Sequence, residues 1–152
     1  MSTPKLVFIG GGNMAHALIN GLLSDGTPPD SIIVAEPNAE RRELLAANLG
    51  IRTRNDNHGA AREADVLILA VKPQVLESVA RDLSPIVRQR SPLCLSIAAG
   101  VSHATLQQWL GEDVPLVRTM PNTPAMIQAG ATGLYASHKA VSYTHLRAHE
   151  TS

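Results

Sequence analysis

Residues 5–15, KLVFIGGGNMA, decide how this 152-residue chain folds. A short apolar run from Leu6 to Ile9 leads into a turn of three glycines. Beyond the turn, apolar residues recur at the spacing of one helix face: Ala15, Leu18, Ile19 and Leu22. The stretch therefore predicts a strand, a tight turn and a helix, in that order.

The glycine turn fits the pattern Gly-x-Gly-x-x-Ala, with Gly10, Gly12 and Ala15 at the defined positions. Gly10 permits the tight bend, Gly12 leaves space for a pyrophosphate to reach backbone N–H groups, and Ala15 permits close packing of the helix on the strand. The first turn of the helix directs its partial positive charge at the phosphates. Glycines also occur in turns that bind nothing. The order of strand, turn and helix favours dinucleotide binding.

The bulk composition limits the class of protein. Thirteen basic and thirteen acidic residues give a formal net charge of zero, which argues against a nucleic acid or an anionic membrane surface as the partner. Hydrophobic residues make up 44% of the chain, but no apolar run is long enough to span a bilayer. The length suits one domain with one core. We expect a soluble protein.

Cysteine and histidine usage bears on compartment and metal binding. The single cysteine, Cys94, lies in an apolar run and cannot form an internal disulfide, so we expect a core thiol and the reducing cytoplasm. We expect no signal segment ahead of the first strand. His145 and His149 are four residues apart, but a third ligand is not evident and we expect no metal site.

The pattern of apolar run followed by helix repeats along the chain. Further strands are predicted at 32–35, near 51–53, and at 66–71, 93–97 and 115–118, with a polar loop at 54–59. Asn38 and Ser102 suit helix N-caps, Gly50 suits a helix end, and Pro73 suits a first helical turn. Strands that alternate with helices predict an α/β protein with a Rossmann-like, doubly wound parallel sheet in three α/β/α layers.

Glu36 follows the second predicted strand. A carboxylate at this distance from the glycine turn is where a dinucleotide site accepts hydrogen bonds from the adenosine ribose, so Glu36 favours NAD over NADP. Arg41 and Arg42 follow in the first turns of the next helix. Either they reach a ribose 2′-phosphate, which would favour NADP, or they belong to a solvated helix face.

The carboxyl ends of parallel strands meet at one edge of a sheet, so we expect the cofactor there. Small, polar or turn-forming residues follow five of the predicted strands: 10–14, Glu36, 70–73, 97–99 and 120–122. The presence of such residues after five strands supports a dinucleotide site more strongly than the glycine turn does alone.

With these segments, the chain resembles the N-terminal part of the pyrroline-5-carboxylate reductases. The resemblance runs from about Lys5 to Ala136 and rests on four motifs: FIGGGNMA at 8–15, AVKPQ at 70–74, SIAAGV at 96–101 and MPNTPA at 120–125. The first motif is shared with many dehydrogenases. The other three, in this order and spacing, are much more specific.

The resemblance implies hydride transfer from NADPH or NADH to the C=N carbon of 1-pyrroline-5-carboxylate, which yields proline. It implies no catalytic side chain in this segment, since the cofactor carries the hard step. The residues it implies near the nicotinamide are Met120, Pro121, Asn122 and Thr123. Glu36 is expected to contact the cofactor because of its position after the second predicted strand, and the resemblance implies the other contacts. The full set of expected cofactor contacts is Ile9, Gly10, Gly11, Gly12, Asn13, Met14, Glu36, Asn57, Ala70, Val71, Lys72, Pro73, Ile97, Ala98 and Ala99. For Lys72, an ordinary lysine at a strand end is an equal alternative.

The resemblance also implies a second, helical domain that contacts the substrate and forms a homo-oligomer. We expect residues 1–139 to form the dinucleotide-binding domain, residues 140–152 to be a tail foreign to the family, and the helical domain to be absent. Two alternatives remain: a dinucleotide-binding module without turnover, and the domain of a β-hydroxyacid-type dehydrogenase.

Overall fold

Six strands alternate with helices in the computed structural model, which describes residues 3–97 and 100–118. The strands are β1 (Leu6–Ile9), β2 (Ile32–Ala35), β3 (Arg52–Arg54), β4 (Val66–Leu69), β5 (Leu93–Ser96) and β6 (Leu116–Arg118). The α-helices are α1 (Asn13–Ser24), α2 (Ala39–Leu49), α3 (Asn57–Ala61), α4 (Pro73–Arg90) and α5 (His103–Leu110). A single 3₁₀ turn (Pro29–Ser31) precedes β2.

The six strands form one parallel sheet in the order β3-β2-β1-β4-β5-β6. The chain builds outward from β1 to β3 and then crosses over to add β4 on the other side of β1. The order therefore reverses between β1 and β4, and an open α/β sheet presents its binding crevice at such a point. The predicted doubly wound parallel sheet is confirmed.

Helices cover both faces of the sheet. In β1, Val7 and Ile9 pack in a cluster with residues of α3, α4 and α5, whereas Leu6 and Phe8 pack with α1 and α2. This alternation follows from the two-residue period of a strand. All four residues of β1 are buried, as expected for a parallel strand between two helical layers. The predicted three-layer arrangement is confirmed.

The helix boundaries follow the predicted signals. The Asn38 side chain accepts a hydrogen bond from the N–H of Arg41 at 2.9 Å and begins α2, and Gly50 ends it with φ +69°. Ser102 caps α5 through the N–H of Thr105 at 3.1 Å. Pro73 is the first residue of α4, where its missing N–H costs nothing.

One helix differs from the prediction. The segment 54–59 reads as a polar loop, but α3 begins within it because the Asp56 carboxylate accepts a hydrogen bond from the N–H of Gly59 at 2.7 Å. This hydrogen bond, followed by the nearby Arg54 guanidinium, lowers the pKa of Asp56. With only five residues, α3 is too short for hydrophobic periodicity to reveal it.

Candidate functional site

The strands end level with one another, and this places their following residues at one edge. Ile9 lies beside Ala35 of β2 and Leu69 of β4, and Leu69 lies beside Ser96 of β5. The hydrogen bonds continue one residue further, since the N–H of Ala70 donates to the Ile9 carbonyl at 2.9 Å. Four strand ends therefore meet there: Gly10, Glu36, Ala70 and Ile97.

Gly10 makes the turn possible in two ways. Its φ is +105°, a region that side-chain-bearing residues rarely adopt. A Cβ atom there would lie 2.8 Å from the Ala70 carbonyl oxygen and 3.1 Å from Cγ1 of Val71. Only glycine therefore lets the turn after β1 pass so closely over the end of β4.

Gly12 has a different role, at the start of α1. Its backbone is extended, with φ −76° and ψ −169°, and no side chain caps the helix. A Cβ atom at Gly12 would meet nothing within 4 Å, and Gly12, Asn13 and Met14 are exposed. The N–H groups of a first helical turn have no intrahelical partner. Open space and unused donors coincide here, which fits the diphosphate of a dinucleotide.

Glu36 ties two loops together. One carboxylate oxygen accepts a hydrogen bond from the N–H of Gly11 at 3.0 Å, and the other accepts one from the N–H of Asn38 at 2.9 Å. A Cβ atom at Gly11 would lie 3.1 Å from Oε1 of Glu36 and 2.8 Å from Cδ1 of Leu45. The carboxylate thus holds the glycine turn against the loop that follows β2.

Arg41 and Arg42 contact the same two loops and do not form a plain solvated helix face. Arg41 Nε donates to the Gly11 carbonyl at 2.6 Å, and Arg42 donates through one nitrogen to the carbonyls of Glu36 at 2.8 Å and Pro37 at 2.9 Å. Both arginines are half-buried. Two guanidinium groups therefore lie at the rim of the crevice.

The expected cofactor contacts are distributed over this edge. Three groups of them come together around β1, β2 and β4: Ile9 to Met14, Glu36, and Ala70 to Pro73. Asn57 begins α3 beyond the end of β3, Ile97 follows β5 and is 8% exposed, and Lys72 is exposed. Ala98, Ala99 and Met120 to Thr123 lie outside the described residues. The assignment of these residues to a cofactor stays a prediction.

Sequence reasoning missed how the loops are held. It predicted that Glu36 accepts hydrogen bonds from the ribose, but it did not find the hydrogen bonds that Glu36 accepts from backbone N–H groups. It also did not decide between the two alternatives for Arg41 and Arg42. One available signal was the Asn38 cap, because residues of a first helical turn lean back toward the N-terminus of the helix. That places Arg41 and Arg42 beside the end of β2.

Other features of the described residues lie elsewhere. A hollow of about 410 Å³ occupies the opposite edge of the sheet, lined by Arg88, Ser91, Gln107, Gln108, Gly111, Glu112, Asp113 and Val114. Within residues 3–97 and 100–118, no group of three His, Cys, Asp or Glu side chains is arranged to hold a metal. Over the same ranges, none of the helices has the length and apolarity to cross a membrane.

Residues 5–100 match the protein family described as "NADP oxidoreductase coenzyme F420-dependent". The chain belongs to this family. The match includes the glycine turn, Glu36, both arginines and the end of β4, so the crevice falls within the family domain.

Individual relatives agree with the motifs. The chain is 46% identical over 137 residues to the pyrroline-5-carboxylate reductase of Pseudomonas aeruginosa, covering 90% of this chain and 50% of that protein. Among solved structures, it is similar to a pyrroline-5-carboxylate reductase of Coxiella burnetii, with a TM-score of 0.76, 36% identity, and coverage of 84% and 47%.

A second solved structure is the Plasmodium falciparum pyrroline carboxylate reductase with NADP bound, with a TM-score of 0.70, 28% identity, and coverage of 84% of this chain and 45% of that one. The resemblance inferred from the motifs is confirmed. The chain spans about half the length of the curated relatives it matches.

Proposed function

We propose that this chain binds NADPH or NADH across the carboxyl ends of its strands and is the cofactor domain of an enzyme that reduces 1-pyrroline-5-carboxylate to L-proline. The observation that carries the proposal is the open start of α1, where Gly12 leaves space in front of unused N–H groups. The names of the relatives supply the reaction. We place the domain at residues 1–139, with 140–152 outside it.

The cofactor, when bound, supplies a hydride to the carbon of the C=N bond, while the ring nitrogen gains a proton. The contribution of the chain is to bind and orient. The first-turn N–H groups of α1 hold the diphosphate, and the expected contacts Ile9 to Met14, Glu36, Asn57, Ala70 to Pro73 and Ile97 to Ala99 line its path. Met120 to Thr123 lie near the nicotinamide in this proposal, and no catalytic side chain is assigned.

Titration calorimetry with NADPH and NADH tests the binding half of the proposal. We expect the chain to bind at least one of them. Gly12→Ala should weaken binding about tenfold or more, because the added methyl group occupies the space of the diphosphate and blocks its hydrogen bonds. Asn20→Ala, an exposed change further along α1, should bind like the unchanged chain. Failure of both cofactors to bind would overturn the proposal.

The reaction is tested by following NAD(P)H absorbance with the imine as substrate. The assay should use this chain and a longer version that carries the remaining half of the relatives' length. We propose that this remaining half aligns the substrate and forms the homo-oligomer, so the longer version should turn over. The half coverage of the relatives favours binding without turnover for the chain alone. Turnover of a β-hydroxyacid but not of the imine would instead identify the other dehydrogenase class.

A further inference from the structure

We propose that Arg54 is a positioning residue, which fixes the short helix α3 and so holds Asn57 at the crevice for the nucleotide. This inference rests on the proposed function, in which Asn57 contacts the cofactor, and adds how that contact is kept in place. Asn57 is the first residue of α3. It follows β3, at whose end the N–H of Glu36 donates to the Arg54 carbonyl at 2.9 Å. The start of α3 therefore lies near the crevice end of β2.

The helix α3 needs support because it is short and buries little apolar surface. A helix of five residues is unstable by itself, since its first turn fixes several residues for one hydrogen bond. Its buried residues are Ala60 and Ala61, which pack in the cluster that contains Ile9 and Ala35. An alanine methyl group removes little apolar surface from water. This packing places α3 against the ends of β1 and β2 but holds it only weakly.

The Arg54 guanidinium contacts residues at both ends of α3. Its Nε lies 3.5 Å from Oδ1 of Asp56, the residue before the helix. Its Nη1 donates to Oε2 of Glu63, two residues after the helix, at 3.2 Å. The other oxygen of Asp56 accepts the capping hydrogen bond from the N–H of Gly59. One side chain therefore joins the carboxylate that begins α3 to the carboxylate that follows it.

Between these two contacts, the guanidinium lies against the backbone of α3 at Gly59. A Cβ atom at Gly59 would lie 2.5 Å from Nη2 and 2.9 Å from Cζ of Arg54, and 2.6 Å from Oδ2 of Asp56. Any side chain there would have to displace the guanidinium or the capping carboxylate. Glycine disfavours a helix, so a glycine in the middle of so short a helix fits a need to admit the guanidinium.

Arg52 provides a matched control, because it lies on the same strand and pairs with the same carboxylate. Its Nη2 donates to Oε1 of Glu63 at 3.1 Å, and its side chain is 43% exposed, against 40% for Arg54. Among the residues that the structure describes, no ion pair joins Arg52 to Asp56. Arg52→Gln and Arg54→Gln make the same charge change, so a difference between them reports the contact of Arg54 with the start of α3.

Titration calorimetry on the 152-residue chain tests the inference, with whichever of NADPH and NADH binds the unchanged chain more tightly. Arg54→Gln should weaken binding about fivefold, because the hydrogen bond of Asn57 to the nucleotide is lost when α3 is no longer fixed. Arg52→Gln should stay within about twofold of the unchanged chain, since it removes only an exposed ion pair. Thermal melts show whether each variant folds.

Gly59→Ala is a second variant that keeps every charge. Alanine favours a helix more than glycine does, so helix propensity alone predicts a firmer α3. We expect instead a loss of affinity close to that of Arg54→Gln, because the added methyl group displaces the guanidinium. If Arg54→Gln does not fold, this variant carries the test by itself.

A double-mutant cycle separates positioning from a general loss of stability. Asn57→Ala should weaken binding by itself, and Arg54→Gln added to it should cause less than about a twofold further loss, because Arg54 acts through Asn57. Independent residues would instead multiply their effects.

Several results would overturn the role of Arg54 while dinucleotide binding stands. These are unchanged affinity in Arg54→Gln, Gly59→Ala or Asn57→Ala, an equal loss in Arg52→Gln, and multiplied effects in the double variant. If neither nucleotide binds the unchanged chain, the proposed function itself fails.

Discussion

At the scale of single residues, Gly10 and Gly12 are two positions apart but serve different purposes. Gly10 combines a φ of +105° with a hypothetical Cβ only 2.8 Å from the Ala70 carbonyl oxygen. Gly12 has an ordinary backbone and empty space where a side chain would be. The first glycine is therefore needed for folding, whereas the second is needed for the ligand.

Gly10→Ala should lower the free energy of unfolding by about 2 to 5 kcal/mol, because it adds backbone strain to a steric clash at the end of β4. Gly12→Ala should cost less than about 1 kcal/mol, the penalty for a poorer N-cap. Urea denaturation followed by circular dichroism measures both. Equal destabilisation by the two substitutions would contradict this division of roles.

The sequence identifies which residues lie at this site better than it identifies their contacts. The glycine pattern predicted the turn, and the end of β2 predicted the place of Glu36. The two bonds of Glu36 to backbone N–H groups depend on how far the loop after β2 approaches the glycine turn. That distance is a tertiary property, which no local pattern in the sequence records.

At the scale of the elements, the 18-residue helix α4 contains an internal proline, Pro85. A proline has no N–H to donate to the carbonyl four residues earlier, and its ring crowds that carbonyl. Pro85 is exposed, so the core does not require its ring. The helix persists because its inward stripe of Leu76, Ala80, Leu83 and Val87 is buried against the sheet.

Pro85→Ala should therefore stabilise the protein by about 1 to 3 kcal/mol, since the restored hydrogen bond and better helix propensity outweigh the greater freedom of the unfolded chain. Gln89→Ala, an exposed change in the same helix, should change stability by less than about 0.5 kcal/mol. Chemical denaturation of the two variants checks this. Destabilisation by Pro85→Ala would show that the proline fixes a bend on which the packing depends.

The elements themselves were largely predictable because their apolar runs and end signals agree. The six strands and four longer helices match, with boundaries shifted by one or two residues, as at β4, which ends at Leu69 and not at residue 71. Only α3 was missed. Its start depends on the Asp56 carboxylate, and polar segments with such side chains form loops as readily as helix starts.

At the scale of the whole molecule, Cys94 reports on the integrity of the core. It lies in β5 with no exposed surface, and burial raises the pKa of its thiol from 9.0 to about 12. Ellman's reagent needs a thiolate within reach. We expect labelling of the folded protein to be slow and set by opening of the sheet, and labelling in denaturant to be immediate.

The same thiol makes stability depend on alkaline pH. Because its pKa is raised in the folded state, its contribution is complete below the unfolded value near 9 and is lost as the pH rises toward about 12. Denaturation across this range should show a steeper loss for the unchanged chain than for Cys94→Ala. Equal slopes, or rapid labelling of the folded protein, would contradict full burial.

The carboxylate bridge of Glu36 also bears on how fast a nucleotide is captured. The turn after β1 and the loop after β2 are separated by 25 residues of chain, yet one side chain joins them before any ligand arrives. Association slows when a protein must first rearrange. Because these two loops are already joined in the free protein, binding does not have to wait for them to close. We therefore expect the association rate of a nucleotide to be set by diffusion and charge.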